Sequence, residues 1–298
     1  MLSPLSFPRT PCAVRCFLAA AAAALSLGVA GCSTAQPSDS TAQPPNSTAQ
    51  RPNSTAQHPE AASGPSHVHG AYADPQTGRL LLASHNGLFE ATGEHPVKIG
   101  PTIDLMGFAA DEDGTFYASG HPGPGVGLPN PVGLITSTDG GATWRPVSRQ
   151  GESDFHALAV TGDGFVGFDG ELRISRDGRE WDSVRPAPEP HALAGGPGHG
   201  VVLATTGEGV WRSEDGGSTW SAPSGGPVLL TAAFIDARTA AGVSPDGTVY
   251  VSEDAGKKWK SVGRVQGQPA AVTGTRTGTG LALWVAGTEG GTERLDVP

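Results

Sequence analysis

The chain has 298 residues, 19 lysines and arginines against 29 aspartates and glutamates, and a formal net charge of −10. An acidic balance of this size argues against nucleic acid and anionic lipid surfaces as partners. The 44 glycines and 26 prolines, with no long segment of helical periodicity, point to an all-β protein rich in tight turns.

The first thirty-odd residues read as an export signal. Arg9 and Arg15 precede an apolar run from Phe17 to Ala30, too short for a comfortable membrane span, which needs about 20 residues. The run ends in Val29-Ala30-Gly31-Cys32. This resembles a bacterial lipobox, which implies that residues 1–31 are removed and that Cys32 is diacylated and becomes the new N-terminus. Two acyl chains hold a protein firmly on a bilayer, whereas one is marginal. Cys12 and Cys16 leave with the signal, so no disulfide is expected in the mature chain.

Residues 32–62 are expected to form a tether. From Ser33 to Glu60 they read STAQPSD, STAQPPN, STAQRPN and STAQHPE. Proline and small polar residues dominate, no apolar position recurs, and such a segment buries too little to fold. It would hold a domain of residues 63–298 clear of a membrane.

Within that domain one motif recurs. STDGGATW runs from Ser137 to Trp144, SRDGREW from Ser175 to Trp181, SEDGGSTW from Ser213 to Trp220 and SEDAGKKW from Ser252 to Trp259. The aspartates, Asp139, Asp177, Asp215 and Asp254, recur at steps of 38, 38 and 39 residues. A constant period near forty means one supersecondary unit stacked on itself. Each motif follows a short run rich in β-branched and aromatic residues, read as a strand. Gly141, Gly217 and Gly256 supply the backbone freedom of the turn, and the aspartate can accept hydrogen bonds from the turn's own N–H groups. The tryptophan opens the next strand, where its ring can wedge between units.

Two more strands precede each motif, making four short antiparallel strands per unit, the pattern of a propeller blade. First strands begin near His67, Leu105, Asp154, His191, Val228 and Ala270. The fold expected is a single six-bladed β-propeller. The first and last units lack the motif, and a strand from residues just before His67 is expected to complete the last blade. The segment Ser119 to Gly133, SGHPGPGVGLPNPVG, interrupts the second unit and is placed to rim a binding site.

In a propeller the first strands line the central channel, so chemistry is sought there. His67 and His69 flank Val68 and should share one face of the first strand. His156 opens the third unit's first strand. His85 and His121 end second strands, and Met106 lies on the second unit's first strand. Convergence of these side chains at one mouth would suit copper or zinc. Asp104, Glu152 and Asp154 precede or open first strands and are the candidate catalytic carboxylates.

The motif S-x-D-x-G-x-T-W resembles the BNR or Asp-box repeat, matched throughout by Ser137–Trp144 and Ser213–Trp220. The others depart from it: Lys258 replaces the threonine, and Ser175–Trp181 is one residue short. The resemblance extends over the whole domain and places it with sialidase-like and sortilin-like propellers. Segments such as HVHGAYADPQTGRLLLASHNGLFE look like bacterial secreted lipoproteins often labelled glycosyl hydrolases. It implies a structural role for the four motifs. The F/Y-R-I-P signature of sialidases is missing, and Arg173 in LRIS is a poor substitute. The expected protein is therefore a monomeric, lipid-anchored, extracytoplasmic propeller of the bacterial cell envelope that binds a glycan or protein in its funnel. An exo-acting glycoside hydrolase is the alternative, and a His-rich transition-metal-binding propeller the third reading.

Overall fold

The computed structural model describes residues 64–298. The signal, Cys32 and the tether lie outside the described residues. Twenty-two strands form six antiparallel sheets in strict chain order, with no helix among the described residues. The first sheet comprises β1 (Val68–Ala73), β2 (Leu80–Ser84), β3 (Gly87–Glu90) and β4 (Val97–Ile99). The second comprises β5 (Ile103–Ala110), β6 (Phe116–Pro122), β7 (Leu134–Ser137) and β8 (Arg145–Ser148). The third comprises β9 (Ala157–Thr161), β10 (Gly164–Phe168), β11 (Leu172–Ser175) and β12 (Asp182–Ser183). The fourth has three strands, β13 (Ala192–Gly195), β14 (Val202–Thr206) and β15 (Gly209–Ser213). The fifth comprises β16 (Thr231–Phe234), β17 (Ala240–Val243), β18 (Thr248–Ser252) and β19 (Lys260–Arg264). The last has β20 (Pro269–Arg276), β21 (Leu281–Gly287) and β22 (Thr292–Val297).

The sheets close into a ring. β1 packs beside β5, β5 beside β9, β9 beside β13, β13 beside β16, β16 beside β20, and β20 beside β1. This is a six-bladed β-propeller with the first strand of each blade at its axis. Small residues make the close approach possible. Gly70, Ala71, Gly107, Ala109, Ala157 and Ala159 are among those lining the channel.

Cohesion comes from the flat apolar faces of adjacent blades. Leu88, Leu81 and Phe116 belong to a cluster shared by the first two blades, and Val166, Leu172 and Leu203 are buried between later ones. Alternate residues of each strand face the two neighbouring blades, so both faces must be apolar. That is why β2, with all five residues buried, reads as a continuous run rather than an alternating one.

Three expectations about strands are corrected. The fourth blade has no fourth strand: only a single bridge, Arg212 to Ser221, continues the sheet before Ala222-Pro223 leads the chain away. Among the described residues, the last blade gains no strand from the N-terminal side. Residues 64–66 form no strand, and Pro65 packs over the turn at Gly290. The ring closes instead through backbone and side-chain bonds, Val68 N–H to the Thr288 carbonyl (3.0 Å) and Ala73 N–H to Thr273 Oγ1 (3.0 Å). Val68, Leu82, Ala271 and Ala286 seal the seam as one buried cluster. The fifth blade's first strand also begins later than expected, at Thr231, leaving Val228 exposed before it.

Candidate functional site: a histidine and aspartate mouth

The four Ser-Asp-Gly motifs form near-identical turns after β7, β11, β15 and β18. In each, the serine hydroxyl donates to its aspartate, at 2.8 Å for Ser137 and Asp139, 3.4 Å for Ser175 and Asp177, 2.8 Å for Ser213 and Asp215, and 2.9 Å for Ser252 and Asp254. The serine oxygen in turn accepts the N–H of Gly141, Gly178, Gly217 or Gly256. Asp139 and Asp215 each take a further pair of bonds from the backbone and hydroxyl of Thr143 and Thr219. These bonds, the Thr143 hydroxyl foremost, hold the Asp139 carboxyl down at about 2. The shortened copy substitutes the N–H groups of Arg179 and Glu180. Trp181 and Trp220 donate their indole N–H back to the carbonyls of Gly178 and Gly217. Trp144 and Trp259 pack against the apolar clusters between blades, as expected of such rings. The four aspartates do not line the channel; their work is local to the turns.

The channel itself encloses about 590 Å³. Its two mouths differ. Where the first strands end, Asp111, Glu112, Asp113 and Asp236 stand around the opening. Asp111 and Asp236 there are spent on hairpin turns, accepting the N–H groups of Thr115 and Thr239.

Where the first strands begin, histidines gather. β2 and β6 run antiparallel to β1 and β5, so their ends return to the same mouth. His85 Nδ1 lies 2.9 Å from Asp104 Oδ2, and His69 Nε2 lies 3.6 Å from Asp104 Oδ1. The rings of His67 and His85 meet edge to face at 6.1 Å. On the neighbouring blades, Asp154 Oδ2 lies 3.0 Å from His121 Nε2 and 3.2 Å from His156 Nε2. His121 is paired directly across the sheet from Asp104, which joins the two groups. Each carboxylate thus serves two histidines. Their side chains are only 12 % and 16 % exposed, and no lysine or arginine lines the channel.

The long segment after β6 supports this mouth. Asn130 Oδ1 sits 2.7 Å from His121 Nδ1, and Val126 and Leu128 anchor the loop on the core. Flanked by acceptors on both nitrogens, the His121 imidazole is held above its ordinary value, the Asn130 contact contributing most and Asp154 and Asp104 adding to it. His69 is pushed the other way. Burial favours its neutral form, against the pull of Asp104 and with His85, His67 and His156 nearby. A neutral imidazole keeps a lone pair for a ligand.

Most of the residues proposed from sequence meet here, though not as foreseen in every case. His67 lies outside β1 in a left-handed conformation (φ 48°), and a bulge separates Val68 from Gly70. His67 and His69 therefore converge through an irregular backbone rather than along one face of an extended strand. Met106 lines the channel at the second bulge, between Leu105 and Gly107. Glu152 is not part of the mouth. It is 66 % exposed and reaches back to Arg149 at 3.6 Å. Arg173 is bound to Asp169 at 3.0 Å on a third strand and is absent from the channel lining. Among the described residues, no three or more His, Cys, Asp or Glu side chains already stand grouped to hold a metal ion. Sequence reasoning missed Asn130, whose only signal was its place in the interrupting loop.

The fold and site define a β-propeller with a polar, histidine-lined mouth. No family model matches the chain, and no curated protein does. Solved structures are similar in fold. A gluconolactonase from Xanthomonas campestris superposes with a TM-score of 0.58 at 14 % identity, over 79 % of this chain and 88 % of its own. A putative gluconolactonase gives 0.55 at 16 % identity, over 80 % and 92 %. YCF48 bound to a D1 peptide gives 0.53 at 15 % identity, over 79 % and 94 %. At such identities the likeness is one of architecture, and architecture does not carry chemistry.

Proposed function

We propose that the chain is a ligand-binding propeller whose working face is the mouth built on Asp104 and Asp154. The observation that supports this is the pair of nearly buried carboxylates, matched only by histidines, two of which, His69 and His156, line a channel of about 590 Å³. Buried charge without a permanent counter-charge costs stability and is retained where a ligand uses it. A glycan with several hydroxyl donors, or a protein loop carrying donors, suits the two acceptor groups. The Ser-Asp-Gly turns lie outside the channel, which fits the structural role of Asp-box repeats, and the lipobox-like Cys32 would tether the module at the bacterial cell envelope.

Labelled neutral, amino and acidic oligosaccharides offered to the full chain in the presence of a chelator test this reading. Retention by the parent protein and by Asp113→Asn at the opposite mouth, with loss in Asp104→Asn and Asp154→Asn, is the expected result. Equal retention by all four proteins would place the ligand elsewhere.

Hydrolysis is the second reading, favoured by one contact. Asp104 holds Nδ1 of His85 while the His85 side chain is 63 % exposed, an arrangement able to take a proton from water. Two of the similar structures bear the name gluconolactonase. Turnover of sugar lactones or aryl glycosides that vanishes in His85→Ala would establish it.

A further inference from the structure

Among the described residues, four buried side-chain polar atoms lack a hydrogen-bond partner: His69 Nε2, Asp104 Oδ1, Asp154 Oδ1 and Trp259 Nε1. Three of the four belong to one mouth. Native proteins seldom leave such atoms unsatisfied, and a cluster of them marks where something else binds. The two carboxylate oxygens are acceptors, and an imidazole nitrogen can present an acceptor as well. A single cation between His69 Nε2 and Asp104 Oδ1, 3.6 Å apart, answers two of the three.

We propose that this mouth is an open transition-metal site with His69 Nε2 and Asp104 Oδ1 as its two fixed ligands, an inference that rests on the mouth being the working face. The 3.6 Å between these atoms is too long for a good hydrogen bond. It is close to the spacing, about 3.4 Å, of two ligands bound at about 2.0–2.1 Å to one tetrahedral ion. Imidazole with carboxylate favours zinc, copper, nickel or cobalt over calcium and magnesium, which prefer all-oxygen shells.

The site is incomplete in the conformation described, since no third side chain is already in place. His85 and His156 supply the remainder. Both stand at the mouth, 63 % and 57 % exposed, and can turn inward without disturbing the core. Asp104 Oδ2 keeps hold of His85 Nδ1, the carboxylate contact that typically orients a ligating imidazole. The positions left over fall to water or to a donor atom of the ligand, which would join metal and ligand in one site.

The test uses the full chain purified without a histidine tag, stripped with chelator and titrated with Zn²⁺, Cu²⁺ and Co²⁺ alone. Calorimetry gives stoichiometry, and the visible Co²⁺ bands report the coordination number. One ion per chain is expected, with affinity reduced at least about tenfold in His69→Gln and in Asp104→Asn. His95→Ala, on an exposed turn, should bind as the parent does. His85→Ala and His156→Ala alter exposed side chains, so they should fold normally and shift the Co²⁺ bands. No stoichiometric binding, or binding unchanged in both His69→Gln and Asp104→Asn, overturns the inference. Oligosaccharide retention under chelator that requires Asp104, together with no stoichiometric metal binding by the same protein, would leave the proposed function standing while the metal site falls.

Discussion

Gly141 in the second blade faces Leu88 in the first so closely that a Cβ on Gly141 would stand 2.2 Å from Leu88 Cδ2. The same relation recurs around the ring. Gly178 meets Leu134 at 2.9 Å, Gly217 meets Val166 at 2.9 Å, and Gly256 meets Leu203 at 2.4 Å, each across a blade interface. All four glycines have positive φ. The Ser-Asp bonds within each turn therefore do more than close a hairpin. They hold a bare backbone against the preceding sheet, where a side chain would force the blades apart.

Gly141→Ala should accordingly be costly, combining left-handed strain of about 1–2 kcal/mol with overpacking of about 1–3 kcal/mol. Gly140→Ala, next to it, shares the strain (φ 72°) but meets only Arg79 Nη1 at 3.9 Å. Urea unfolding should rank Gly141→Ala below Gly140→Ala by roughly 1–3 kcal/mol. Equal stability of the two would mean the interface yields, and the turns would then be simple surface hairpins.

Acid should loosen these turns in a defined window. Asp139 has its carboxyl at about 2 in the folded protein, below the ordinary 3.8. A depressed acid contributes stability that is present above its unfolded value and is lost as pH falls through its folded value. The melting temperature of the parent should exceed that of Asp139→Asn near neutral pH, because the amide loses the charge and one acceptor of Thr143. The two melting curves should draw together between about pH 4 and pH 2. A gap that persists undiminished at pH 2 would show that the charge of Asp139 is not what stabilises the turn.

How far all this could be read beforehand depends on sequence distance. The turns were readable because each lies within eight consecutive residues, from Ser137 to Trp144 or from Ser213 to Trp220. The period near forty then implied the ring. The mouth was partly readable. Strand direction alone brings His85 and His121 back beside the starts of β1 and β5, and Asp104 and Asp154 stood at such starts. What could not be read is which carboxylate serves which histidine. His69 reaches Asp104, and His121 reaches Asp154, across blade boundaries that no local pattern encodes. Bulges at Val68/Gly70 and Leu105/Gly107 change which way the side chains turn, and a bulge has no reliable sequence mark here. Glu152 looked equivalent to Asp154 two residues on, yet the left-handed Arg149 beside it draws it outward.

Ring closure was the other unreadable feature, and it yields a sharp test. Among the described residues, the seam between the last and first blades is bridged by the N–H groups of Val68 and Ala73, which donate to the Thr288 carbonyl and to Thr273 Oγ1. Ala73 N–H donates to Thr273 Oγ1 at 3.0 Å, and both residues are buried, at 5 % and 6 % exposure. Thr273→Val keeps the shape and removes the acceptor, leaving a buried N–H with no partner. The expected cost is about 1–3 kcal/mol. Thr273→Ser retains the oxygen and should lose less. Because Thr273 Oγ1 is the acceptor of the Ala73 N–H, the Ala73 amide should exchange with solvent faster in Thr273→Val than in the parent, while the amide of Val166 in the third blade keeps its protection. Should unfolding midpoints and Ala73 exchange both match the parent, the hydrogen bond would be incidental, and the apolar cluster of Val68, Leu82, Ala271 and Ala286 would be what holds the ends together.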